Sequence, residues 1–190
     1  MGGRNRLFQN ISNDPEYARM YEDTFTRETT FISMRTSQDK FVPGPEMPIP
    51  LAFHCAVTLS DRNEVIIYGG ATDSANPSNK IVSYHFNNQL WTELPSPSNK
   101  CSLIPLFHQT QCALFQAKLL IVPRILCTMV FHVDDQQWIE LEQPHFNGGH
   151  LITNAKTSLY YFQNRAMYEF KGPNNGWEMW PNELPFPAPP

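Results

Sequence analysis

Residues 53–95 read FHCAVTLSDRNEVIIYGGATDSANPSNKIVSYHFNNQLWTELP, and the fold turns on this stretch. Phe53 to Leu59 reads as a strand, Asp61-Arg62-Asn63 as a tight turn, and Glu64 to Tyr68 as a second strand ending in Gly69-Gly70. After a polar loop from Ala71 to Lys80, Ile81 to Phe86 alternates apolar and polar residues as a third strand. Asn87-Asn88 supplies a hairpin turn, and Leu90 to Leu94 forms a fourth strand closed by Pro95. Four short antiparallel strands in succession make a sheet that must be buried against neighbours.

The same register recurs. Two alternating apolar residues precede an aromatic, the second by seven positions: Ile32/Met34 before Phe41, Val82/Tyr84 before Trp91, Met129/Phe131 before Trp138, and Tyr168/Phe170 before Trp177. The aromatics lie roughly 40–50 residues apart, the period of a propeller blade or similar stacked unit. The chain therefore divides into an incomplete unit I with a loop insertion (1–48), unit II (49–97), units III (98–144) and IV (145–184), and a proline-rich tail (185–190).

Unit III has strands expected at 111–115, 119–122, 127–133 and 138–141, with Asp134-Asp135 in the last turn. Unit IV has them at 150–153, 158–162, 166–170 and 177–180, with Pro173-Asn174-Asn175-Gly176 as its hairpin loop. In unit I, Gly2-Gly3 stands where Gly69-Gly70 stands in unit II, so two strands are expected upstream of Met1. Between Gly3 and the strand at Thr30 to Met34, Asp14 and Pro15 suit a helix start, and Tyr17, Met20, Tyr21 and Phe25 form one helical stripe.

The expected fold is all-β: three four-stranded blades plus half a blade of a propeller. Closed propellers use four to eight blades. The chain thus reads as the carboxy-terminal portion of a longer protein, a truncated product, or a subunit that closes by association. An open flank predicts modest solubility when it is expressed alone.

Composition narrows the function classes. Lys and Arg number 14 against 18 Asp and Glu, for a net charge of −4, and no basic run supplies the footprint that nucleic acid or anionic lipid demands. Neither nucleic acid nor membrane is an expected partner. The 17 prolines, roughly twice the usual share, favour turns over long helices. No apolar run is long enough to span a bilayer and Met1-Gly2-Gly3-Arg4 opens no export signal, which points to the cytoplasm. Cys55, Cys101, Cys112 and Cys127 show no CxxC spacing, so the expectation is four reduced, buried thiols. Asn10-Ile11-Ser12 fits a glycan acceptor, which matters only in a secreted chain.

Phe53-His54-Cys55-Ala56-Val57, Ile66-Ile67-Tyr68-Gly69-Gly70, Ser83-Tyr84, Trp91 and Leu94-Pro95, preceded by the linker Phe41 to Pro48, resemble a kelch repeat. Unit II matches closely, unit I in part, and units III and IV are degenerate, with Pro123-Arg124 and Gln163-Asn164 in place of the glycine pair. The resemblance implies a kelch-type β-propeller. It also implies a role carried by BTB-kelch proteins, substrate selection for a cullin-RING ubiquitin ligase, with the cullin contact in an upstream domain that this sequence lacks. Actin or scaffold binding is a second role of such chains. A third, the kelch-like copper oxidase, would draw on Tyr68, Tyr84, Cys55 and His54.

No nucleophile elbow, phosphate loop or His-Glu-x-x-His motif is present, so no enzyme, cofactor or metal site is expected. His85 and His132 share one register position, and His54 and His150 precede first-strand cores, which suits structural roles; His108 and His145 fall in linkers. What remains is recognition by loops on a rigid scaffold. The resemblance places the partner face on the loops between second and third strands and on those joining blades. The candidates there are Arg4, Arg6, Ser74, Asn76, Asn79, Arg124, Asn164 and Arg165. Their four arginines suit an acidic or phosphorylated protein segment.

Overall fold

The computed structural model describes residues 30–33, 40–72, 77–98, 110–124, 127–142, 146, 149–154 and 157–181. Fourteen strands account for the regular structure there. A hairpin of β1 (Thr30–Ser33) and β2 (Lys40–Pro43) is followed by three four-stranded antiparallel sheets. Blade II holds β3 (Cys55–Leu59), β4 (Glu64–Tyr68), β5 (Ile81–His85) and β6 (Leu90–Leu94). Blade III holds β7 (Ala113–Phe115), β8 (Leu119–Pro123), β9 (Cys127–His132) and β10 (Gln137–Glu142). Blade IV holds β11 (His150–Thr153), β12 (Leu159–Gln163), β13 (Ala166–Phe170) and β14 (Trp177–Met179). In every sheet the spatial order follows the chain order.

The first strands of successive sheets lie against one another, β3 beside β7 and β7 beside β11, as blades arranged about an axis require. Among the described residues the sheets form a partial β-propeller that does not close. The helix expected over Asp14 to Phe25 and the glycine pair Gly2-Gly3 lie outside the described residues.

The recurring register is a hairpin pairing. Tyr84 faces Trp91, Phe131 faces Trp138, and Phe170 faces Trp177 across the third and fourth strands. Seven positions is the distance around a turn whose last residue is left-handed: Gln89 (φ 57°), Gln136 (φ 53°) and Gly176 (φ 63°) each precede a fourth strand. Unit I departs from this, because Ile32 rather than Met34 pairs with Phe41.

Cross-strand pairs fix which residues correspond between blades. Tyr84, Val65 and Thr58 lie in line in blade II, as do Phe131, Leu120 and Leu114 in blade III. Thr153 pairs with Leu159 at the matching place in blade IV. Cys55 therefore corresponds to Gln111, Cys112 to Leu151, and Gly69 to Arg124. The backbone agrees, since Gly69 N–H donates to the Lys80 carbonyl at 2.9 Å and Arg124 N–H to the Cys127 carbonyl at 2.8 Å. The expected alignment of Pro123-Arg124 with the glycine pair was thus one residue early, whereas Asn164 (φ 54°) does take the left-handed place of Gly70 (φ 82°).

Packing is between blades. Leu59, Ile66, Tyr68 and Ile81 of blade II join Leu120, Val122, Met129 and Phe131 of blade III in one buried core, with Trp138 against it. Ala113, Phe115, Ile121 and Val130 of blade III join Leu159 and Phe170 of blade IV in a second core, flanked by Trp177. Trp91 packs with Met47, Leu51, Ile67 and Val82, so the linker covers the near side of blade II. All three indoles are half-buried, each with its N–H committed. Trp91 donates to the Pro45 carbonyl (2.9 Å), Trp138 to the Pro95 carbonyl (2.6 Å), and Trp177 to Thr128 Oγ1 (2.7 Å). An apolar body with a satisfied polar tip lets each ring close a blade boundary at its outer, wetter end.

The expectation of four reduced thiols fails. Cys55 and Cys112 form a disulfide with Cα atoms 5.8 Å apart, and Cys127 is disulfide-bonded as well. Their spacing of 57 residues carries no local signal; the bond exists because inner strands of neighbouring blades meet.

Candidate interaction face

In an up-and-down blade, the residues leading into the first strand and those leaving the second lie at the same end. That end carries Phe53, His54, residues 69–72 and 77–80, Thr110, Arg124, Asn164 and Arg165. Blade II is stitched closed there. Ala52 and Ala71 exchange backbone hydrogen bonds at 3.0 and 2.9 Å, and Ser78 N–H donates to the Gly70 carbonyl at 2.8 Å. Gly70 N–H donates to Thr110 Oγ1 at 3.1 Å, and Thr110 N–H to the Phe53 carbonyl at 3.2 Å, tying the end of blade II to the entry of blade III. A Cβ on Gly70 would collide with the Ala52 carbonyl and the His54 backbone, which together with its positive φ makes glycine necessary there.

On this braced platform stands Phe53. Its φ is +57°, a left-handed conformation that non-glycine residues rarely take, and its side chain is 48% exposed. Such a backbone persists only where surrounding bonds hold it, and here the Thr110 hydrogen bond and the Ala52–Ala71 bridge flank it. The backbone thus holds an apolar ring half in solvent at energetic cost. Beside it His54 is half-buried, and burial holds its pKa below the ordinary value, partly offset by a hydrogen bond to the Leu51 backbone.

The sequence-derived candidates fare unequally. Arg4, Arg6, Ser74 and Asn76 lie outside the described residues. Arg124 is buried, only 8% exposed; it donates to the Tyr68 hydroxyl and lies 5.5 Å from the centre of that ring. It is a member of the boundary between blades II and III rather than a displayed loop charge. Burial raises the Tyr68 pKa, and the Arg124 charge opposes the rise. Asn79 is half-buried with its amide 3.4 Å from the Pro97 carbonyl, which fastens the loop to the following linker. Asn164 and Arg165 are exposed at the tip of the second loop of blade IV. Arg165 is thus the exposed arginine among the described candidates.

Sequence reading missed Phe53 because it sits in a stretch that alternates like a strand. It lies just before β3 with a left-handed backbone, and its carbonyl accepts from the N–H of Thr110, a residue of the next unit. Among the described residues no group of three or more His, Cys, Asp or Glu side chains is placed to hold a metal ion. No helix among them is long and apolar enough to cross a membrane.

No family model matches this sequence, and no curated protein matches it either. Solved structures do: one titled "Structure of YjhT" superposes with a TM-score of 0.62 at 12% identity, over 85% of this chain and 59% of that one. At that identity the likeness speaks for the fold alone, and this chain spans 59% of the length of the structure it matches.

Proposed function

We propose that this chain is a non-catalytic recognition module that binds a protein segment through the loop end of its blades. The observation that carries the reading is Phe53, a half-exposed aromatic held in a left-handed backbone on a hydrogen-bonded platform. Strain at an exposed side chain favours a contact role over a packing role. Arg165 at the same end adds a cation suited to an acidic or phosphorylated residue in the bound segment. Within this reading, the kelch resemblance supplies two finer roles, cullin-RING substrate selection and actin or scaffold binding. Co-sedimentation with filamentous actin separates them.

The test is selection of a displayed random peptide library against the intact chain. Enriched peptides should carry an apolar anchor beside an acidic residue. They should lose at least tenfold in affinity to Phe53→Ala and several-fold to Arg165→Ala, with no change for Leu90→Ala, which lies at the opposite end of blade II. A Phe53→Gly variant should bind as poorly as Phe53→Ala yet unfold at a higher urea midpoint, by about 1 kcal/mol, because the strain is released. Peptides indifferent to Phe53 and Arg165 would sink the assignment.

A further inference from the structure

The boundaries between blades II and III and between blades III and IV are joined at the same two register positions by different chemistry. At the second boundary Gln111 reaches across to the backbone of blade IV, its Nε2 donating to the Gly149 carbonyl at 2.7 Å and its Oε1 accepting from Leu151 N–H at 2.9 Å. At the first boundary the corresponding residues are Cys55 and Cys112, and they are covalently joined. Cys55 is 8% exposed and the Cα separation of 5.8 Å lies at the centre of the range for relaxed disulfides. A link is therefore built into this place in the fold, in one blade pair as an amide clamp and in the other as a disulfide. Cys127 on β9 of blade III, 3% exposed, is disulfide-bonded too, and the sequence holds just one further cysteine, Cys101. Among the described residues no cysteine is free.

We infer that this chain matures in an oxidising compartment, where Cys55–Cys112 forms as a structural clasp holding the inner strands of blades II and III about the propeller axis. In the reducing cytosol glutathione and thioredoxin keep such pairs as thiols. Formation removes two protons and two electrons from the thiols; the acceptor is an oxidised dithiol isomerase or oxidised glutathione, whose own disulfide is reduced to two thiols. The partner of the recognition face is then a luminal or extracellular protein, which weakens the cullin-RING role for this chain. The clasp stands independently of the recognition reading, since its geometry involves neither Phe53 nor Arg165.

The experiment equilibrates the full-length chain in a glutathione buffer poised like the endoplasmic reticulum, quenches it by acid, and alkylates it under denaturing conditions. Peptide mapping should find Cys55 joined to Cys112 and no alkylated thiol. Reduction should lower the thermal midpoint by roughly 5–15 °C, the scale expected for opening a long disulfide loop in a chain of this size. A Cys55→Ser/Cys112→Ser double variant should show the same lowered midpoint whether or not reductant is present, apart from the contribution of Cys127. Four alkylated thiols at that poise, or Cys55 joined to a different cysteine, would overturn the inference. Because alkylation follows denaturation, the result does not depend on any variant folding.

Discussion

Two boundaries in this molecule solve one packing problem with unequal means. Between blades II and III the inner end is covalent, the middle is a core of Tyr68, Phe131 and their aliphatic neighbours, and the outer end is closed by Trp138. The Arg124–Tyr68 pair is buried within it, and an Arg62–Asp134 ion pair crosses the far rim. Between blades III and IV the inner end is a hydrogen-bonded clamp, the core is smaller, and Gly149 N–H donates to the Tyr161 hydroxyl at 3.0 Å where a side chain on that glycine would strike the ring. Burial raises the Tyr161 pKa, opposed by that same hydrogen bond. Apolar burial does most of the work in both, because an exposed ion pair such as Arg62–Asp134 contributes about 0–1 kcal/mol.

The far side of blade IV extends the contrast. Ile66, Tyr68, Ile81 and Ser83 of blade II are buried against blade III, whereas their counterparts Tyr160, Phe162, Met167 and Glu169 are half-exposed. Glu169 is paired with Lys171 at 2.6 Å, which lowers its pKa, and accepts from the Trp180 indole at 3.4 Å. A blade face that no other described blade covers is thus partly polar at its centre, where the covered face carries a serine or, in blade III, Val130.

The largest break in the comparison comes from the cores. Phe131→Ala should cost about 3–5 kcal/mol and Phe170→Ala about 3 kcal/mol in urea unfolding, since both rings are almost wholly buried but the second core is smaller. Equal losses would mean that the two boundaries are energetically alike. Next comes the clamp: Gln111→Ala leaves the Leu151 N–H and Gly149 carbonyl without their side-chain partner and should cost about 1–3 kcal/mol. Hydrogen exchange should accelerate at Leu151 while the Cys55–Cys112 side stays protected; acceleration on both sides would show that the boundaries do not act separately.

The smallest effect is the titration of His54. Burial holds its folded-state pKa below the ordinary 6.5, so on acidification the unfolded chain takes up the proton first. The stability this provides is complete above about pH 6.5 and is lost as pH falls from there toward the lowered folded value. Thermal midpoints measured from pH 7.5 down to 5 should decline, and His54→Gln should flatten that decline. An unchanged slope in the variant would remove His54 from the account.

Much of the fold was legible because its signals are local. Period-2 alternation, Asn-Asn and Asp-Asp turns, and an aromatic seven residues after its partner placed β4, β6, β11 and β13 at their observed bounds, and the other strands of the three blades within about two residues. The candidate site was less legible. Loop position alone nominated Arg124, yet the structure buries it against Tyr68, since the short loop after β8 leaves it beside blade II. Phe53 looked like a strand residue, yet it lies before β3, with its carbonyl accepting a hydrogen bond from Thr110 in the next unit.

Amino-acid order by itself determined that this chain forms consecutive four-stranded sheets with an aromatic at each outer hairpin, because pleat and turn chemistry act over a few neighbouring residues. Only the tertiary arrangement decided that Cys55 meets Cys112, that Gln111 clasps blade IV, and that Thr110 holds the Phe53 carbonyl. Those outcomes depend on which strands become neighbours around the axis, and contacts between residues some 40 to 57 positions apart leave no mark in local spacing.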